Sequence, residues 1–169
     1  MKILLLPRDD VRLYHELLAS ETSREALRFY RPLETPCGIE ITAATMGSGL
    51  ALAADIRWYV RRYMRGVLFE ISPGVYCTHR LAYELFYDRE ISLPGAWEYR
   101  FMYRMKDGRV IREEKVFPGT ERPPSGSVES PEIEVWSTED EYHGGSSVVA
   151  GEDVEESGGE GDEGGEASL

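Results

Sequence analysis

Apolar and polar positions change period repeatedly along this chain. Lys2 to Leu6, with its unbroken apolar run from Ile3 closed by Pro7, reads as a short buried strand. Val11, Tyr14 and Leu17/Leu18 then recur at helical spacing, behind Asp9 and Asp10, either of which can cap a helix. Thr22-Ser-Arg-Glu25 fits a capping box that opens a second short helix, running to Tyr30 and stopped by Pro32. Between Cys37 and Thr45, Ile39 and Ile41 alternate with polar residues, which is strand spacing. The strongest helical stripe follows Met46-Gly-Ser-Gly49. Leu52, Ile56, Val60 and Tyr63/Met64 predict a helix over 50–65, with Gly66 at the expected stop.

After that helix the period falls to two. A strand is expected over 67–72, a turn at Ser72-Pro73-Gly74, and a strand, or a strand and a helical turn, over 75–87. Trp97, Tyr99, Phe101, Tyr103 and Met105 alternate with mostly polar residues, as a half-buried strand does. Asp107-Gly108 is a two-residue hairpin signal, with Val110 to Phe117 returning. A tight loop pairs Tyr103 with Arg112 and Phe101 with Glu114, which puts charges on an aromatic face. The returning strand is therefore expected at an edge, where charges block unwanted pairing, or in a slipped register. The fold class is α+β: N-terminal helices packed on a mainly antiparallel sheet.

Charge divides the chain. Residues 1–118 carry 18 Lys/Arg against 16 Asp/Glu, whereas residues 119–169 carry one basic residue, Arg122, against 15 acidic ones. The expected organisation is a globular domain over 1–118, a Pro/Gly/Ser linker over 119–131, an acidic island over 132–142 and a disordered acidic tail over 143–169. The opening apolar run is too short for a signal peptide, and no run approaches the length of a membrane span, so an intracellular, non-membrane protein is expected. Cys37 and Cys77 then read as buried free thiols.

Candidate chemistry is sparse. Cys77-Thr-His79 is the one close Cys/His pair, and on a strand both side chains would share a face. That makes a small hydrolase or transferase centred on Cys77 and His79 one reading. It supplies too few ligands for a structural metal site. Gly47-Ser-Gly49 is too short for a nucleotide fingerprint and reads as a turn capped by Ser48. No motif implies a cofactor. Arg57, Arg61 and Arg65 fall at i, i+4 and i+8 of the expected helix, with Arg62, Trp58 and Tyr59 beside them. Arginine beside aromatics holds phosphates and stacks on bases, so nucleic-acid binding, restrained by the acidic tail, is a second reading.

The leading reading is a non-enzymatic regulatory or adaptor protein, a layout shared by small regulators including viral accessory proteins. Ile133-Glu-Val135-Trp136 is a β-prone run followed by Glu139, Asp140, Glu141 and Tyr142, and it is expected to add a strand to a partner's sheet edge. The arrangement resembles SUMO-interacting motifs, which set aliphatics beside acidic residues, although Trp136 departs from their pattern. Ser137 and Thr138 have acids three residues on and Ser130 precedes Pro131, so all three are candidate phosphorylation sites.

Overall fold

The computed structural model describes residues 1–88 and 97–144, and among these eight strands join into one mixed sheet. The strands are β1 (Lys2–Pro7), β2 (Leu33–Thr35), β3 (Gly38–Thr42), β4 (Met64–Ser72), β5 (Val75–Thr78), β6 (Arg100–Lys106), β7 (Arg109–Val116) and β8 (Glu132–Trp136). Their order across the sheet is β2-β3-β1-β4-β5-β8-β6-β7, antiparallel except for the parallel pair of β5 and β8. The helices are α1 (Leu13–Ala19), α2 (Glu21–Ala26), α3 (Met46–Asp55), α4 (Arg57–Tyr63), α5 (His79–Tyr87) and α6 (Glu139–Gly144). The α+β class read from the sequence holds.

The apolar run of β1 explains the layering. Ile3 and Leu5 point to the helices and pack with Leu17, Leu50, Ile56, Phe69 and Leu81. Leu4 and Leu6 point the other way, into a second cluster with Tyr76, Phe101, Tyr103, Ile133 and Val135. A strand buried on both faces must be apolar at every position. The sheet curls around this second cluster until its ends meet. The backbone N–H of Gly108, in the β6–β7 turn, donates to Pro36 O in the β2–β3 turn at 3.0 Å. Gly38 makes the closure possible: at φ +129, a Cβ there would lie 2.8 Å from Leu5 O.

Three helix starts differ from the sequence reading. No side chain caps α1, whose N-cap is Arg12, and Asp10 sits instead at φ 65. The capping box at Thr22 does not form, because α2 begins at Glu21 and the Ser23 hydroxyl donates back to Leu17 O. Thr45, rather than Ser48, caps α3, and the two form a reciprocal capping box.

The helix expected over 50–65 is two helices bent at Ile56, which keeps Leu52, Ile56 and Val60 in the core. It ends at Tyr63 rather than at Gly66, because Met64 turns extended and pairs with Pro7 of β1. A ladder pairing outweighs the modest helix propensity of three residues. In the β6–β7 hairpin a bulge at Arg104/Met105 slips the register, so Tyr103 faces Glu113 and Phe101 faces Lys115. As expected, β7 is an edge strand.

The largest correction concerns 119–142. Residues 132–136 are not an island beyond a domain that stops at 118; they are β8, inserted between β5 and β6. The segment before it is mostly exposed but tethered to the sheet, with Arg122 reaching Glu114 and Glu132, and Ser125 donating twice to Glu132. Its acidity misleads because each glutamate of β8 meets an arginine across the ladder. Glu132 pairs with Arg104 at 2.7 Å and Glu134 with Arg100 at 3.5 Å. These ions lie on the face of β6 opposite Phe101 and Tyr103, while on the aromatic face Glu113 is paired with Arg65 and the Lys115 ammonium lies over the Tyr142 ring.

Burial opposes ionisation of Glu132, but hydrogen bonds from Arg104 and Ser125 outweigh it and hold the carboxyl down at about 2. The disordered tail expected over 143–169 lies almost wholly outside the described residues, of which His143 and Gly144 close α6.

Candidate functional site

The partner-binding residues expected in 132–142 are largely spent on the fold. Ile133 and Val135 are buried in the inner cluster. Trp136 stacks on Trp97 at 6.2 Å, and its Nε1 donates to Glu134. Tyr142 is buried, packs on Phe101 and donates to Val116 O. Thr138 and Glu141 form the capping box of α6, and the Thr78 hydroxyl that caps α5 also donates to Glu141. Burial pushes the Glu141 carboxyl up, against these donors. Only Glu139 and Asp140 remain exposed, and Asp140 already pairs with Arg80.

The three candidate phosphorylation sites fare no better. Ser137 and Thr138 are buried, and their hydroxyls are engaged with Tyr99 O and Glu141. A kinase could reach them only by pulling α6 off the sheet. Ser130 is half-buried in a tight turn, its N–H bonded to the Ser127 hydroxyl.

Cys77 and His79 do not act as a pair. β5 ends at Thr78 and α5 begins at His79, so the shared strand face on which that reading depended is lost. Burial, reinforced by the nearby Glu141 carboxylate, pushes the Cys77 thiol up to about 12. His79 packs beside the Phe69 ring, and burial pushes its imidazole down. A nucleophile needs the opposite shift at the thiol. Cys37 is also a free thiol but belongs to the inner cluster, across the sheet from Cys77. At pH 8 a maleimide is expected to modify Cys37 slowly and Cys77 only when the protein unfolds. Mass spectrometry of the labelled native protein checks this, and a Cys77 adduct formed at the Cys37 rate would show that the thiol is accessible.

The arginine stripe is rearranged into a tighter site. Arg65 leaves it: it lies on β4 and pairs with Glu113 at 2.7 Å. Arg57, Arg61 and Arg62 stay on α4, all exposed, around Trp58. The opposite side of α4 fixes the helix in place. Val60 and Tyr59 are buried, and the Tyr59 hydroxyl meets that of Ser20.

Arg8 comes from the loop after β1 to close the helix's end. Its Nε donates to Met64 O at 3.0 Å and its Nη2 to Arg61 O at 2.6 Å, satisfying terminal carbonyls at the negative end of the helix dipole. The sequence held no signal for Arg8, because the contact spans more than fifty residues.

Trp58 is 56% exposed, yet it is oriented. Tyr59 and Tyr63 meet it edge-on at 5.0 and 5.8 Å. The Arg62 guanidinium lies over its ring at 5.4 Å and over that of Tyr63 at 5.7 Å. Among the described residues neither Arg57 nor Arg62 has a carboxylate within ion-pair distance. The face therefore presents planar cationic forks around a large apolar ring. Such forks fit carboxylates and phosphates, and the ring fits an apolar side chain or a base.

An open cleft of about 390 Å³ lies where the sheet closes, between α1 and the two turns, with His15 on its rim. Neither Cys77 nor His79 lines it. Among the described residues there is no cluster of metal-ligating side chains, and no helix is long and apolar enough to cross a membrane.

The chain belongs to DUF5804, a family of unknown function whose model matches residues 1–91. The match takes in α4 and its Arg8 clamp, whereas β6, β7, β8 and α6 lie beyond it. No curated protein and no solved structure matches the chain.

Proposed function

For a member of a family without an assigned activity, we propose a non-enzymatic regulatory or adaptor role, exercised by gripping an acidic protein partner with the outer face of α4. The observation that carries this reading is Trp58, held in a fixed orientation but left 56% exposed among Arg57, Arg61 and Arg62. Covering its exposed half would remove roughly 100 Å² of apolar surface from water, worth about 2.5 kcal/mol. Trp, Tyr and Arg are also the residue types that dominate interface hot spots.

The acidic partner is favoured over nucleic acid by the chain's overall charge of −12, which repels a dense polyanion at long range. A protein partner needs to bring only a few carboxylates and a pocket for the indole. The nucleic-acid reading uses the same residues, with Trp58 stacked on a base.

A photo-crosslinking amino acid at position 58 captures the partner in cells, and the purified partner is then titrated. Trp58→Ala is expected to weaken binding about 30-fold, the lower bound of a hot spot. Phe117→Ala, which removes an exposed aromatic outside α4, is expected to leave affinity unchanged. Equal affinity for Trp58→Ala, or for Arg57→Glu with Arg62→Glu, would end this reading. Capture of nucleic acid, with affinity falling steeply as salt rises, would replace it with the second.

A further inference from the structure

We infer that residues 145–169 of this same chain dock on the α4 face and compete there with the external partner. The inference rests on the reading of α4 as a site for acidic chains. Between Gly145 and Leu169 there are eight acidic residues and no basic one. Opposite them α4 offers Arg57 and Arg62, neither with an ion-paired carboxylate among the described residues.

Reach is sufficient. Tyr142, two residues before the end of α6, lies under the Lys115 ammonium at 4.7 Å and bonds Val116 O. Two residues back along β7, Glu113 holds Arg65, which sits two residues past the end of α4. Counting the side chains it runs through, that path is about 40 Å, given roughly 3.3 Å per strand residue. Sixteen residues can span about 53 Å, which brings Glu160 to the arginines. A tethered segment of this length acts at an effective concentration in the millimolar range. Individually weak ion pairs then suffice, and they weaken with salt.

The test uses the full chain. A nitroxide is placed at Ser157→Cys in a Cys37→Ser background, Cys77 being shielded by burial. At low salt the amides of residues 57–63 and the Trp58 indole are expected to lose more than half of their NMR intensity. The loss should vanish at high salt, and in a full chain whose eight acids are replaced by amides. A fluorescent 15-residue poly-glutamate peptide should bind that neutralised chain about tenfold more tightly than the parent, the displaced competitor being intramolecular. Intensity loss with no peptide binding to either chain keeps the docking and removes the partner reading. Equal peptide binding to both chains with no intensity loss overturns the docking and leaves the partner reading standing.

Discussion

Residues 1–118 expressed alone are expected to lack a cooperative unfolding transition. The composition suggests the opposite, because that stretch is near-neutral and rich in aromatics. Removing 119–169, however, takes β8 out of the middle of the sheet. Two ladders are lost together, the parallel one to β5 and the antiparallel one to β6. The β6–β7 hairpin then has no strand to join, and β5 becomes an open edge. Ile133, Val135 and Tyr142 also leave the inner cluster.

Each of those side chains is worth about 1.5–3 kcal/mol of burial. Their sum alone approaches the 5–15 kcal/mol that holds an ordinary domain together. The unpaired edges add a route to aggregation. Far-UV circular dichroism through a thermal scan decides the matter. A sigmoidal melt of residues 1–118 within a few degrees of the full chain would mean that β8 is dispensable.

Replacing Glu132 with alanine is expected to cost about 3 kcal/mol, the upper range for a charge-assisted hydrogen bond. Its side chain is 3% exposed and binds Arg104, Arg122 and Ser125 together. At 2–4 °C per kcal/mol for a chain of this size, the melting temperature should fall by about 6–12 °C.

The pH dependence follows from the same group. The folded carboxyl titrates at about 2, below its ordinary value of 4.5. The folded state therefore binds this proton less readily than the unfolded state does. The stabilisation is complete above about pH 5 and is lost as pH falls from there towards 2. Glu141, whose carboxyl burial pushes up, acts with the opposite sign: its protonation favours the folded state as pH falls. Urea midpoints measured from pH 7 down to pH 3 should fall for the wild type and fall less for Glu132→Ala. Parallel curves would place the acid sensitivity elsewhere.

What the sequence determined was whatever rests on local periodicity. The buried β1 run, the alternation in β6, the Asp107-Gly108 hairpin, the edge position of β7 and the α+β class follow from side-chain spacing of two or 3.6 residues. The cluster of arginines around Trp58 was legible for the same reason, since positions 57, 58, 61 and 62 share a helix face whether or not the helix bends at Ile56.

Tertiary structure alone decided the role of each charge. Glu132 and Glu134 resemble solvated acids until Arg104 and Arg100 lie across the ladder from them. Arg65 resembles a fourth member of the cationic face until Pro7 pairs with Met64 and turns the chain into β4. Arg8 acquires its place at the end of α4 from a residue more than fifty positions away. The free energy of a charge depends on the dielectric and the counter-charge around it, and both are set by contacts distant in sequence.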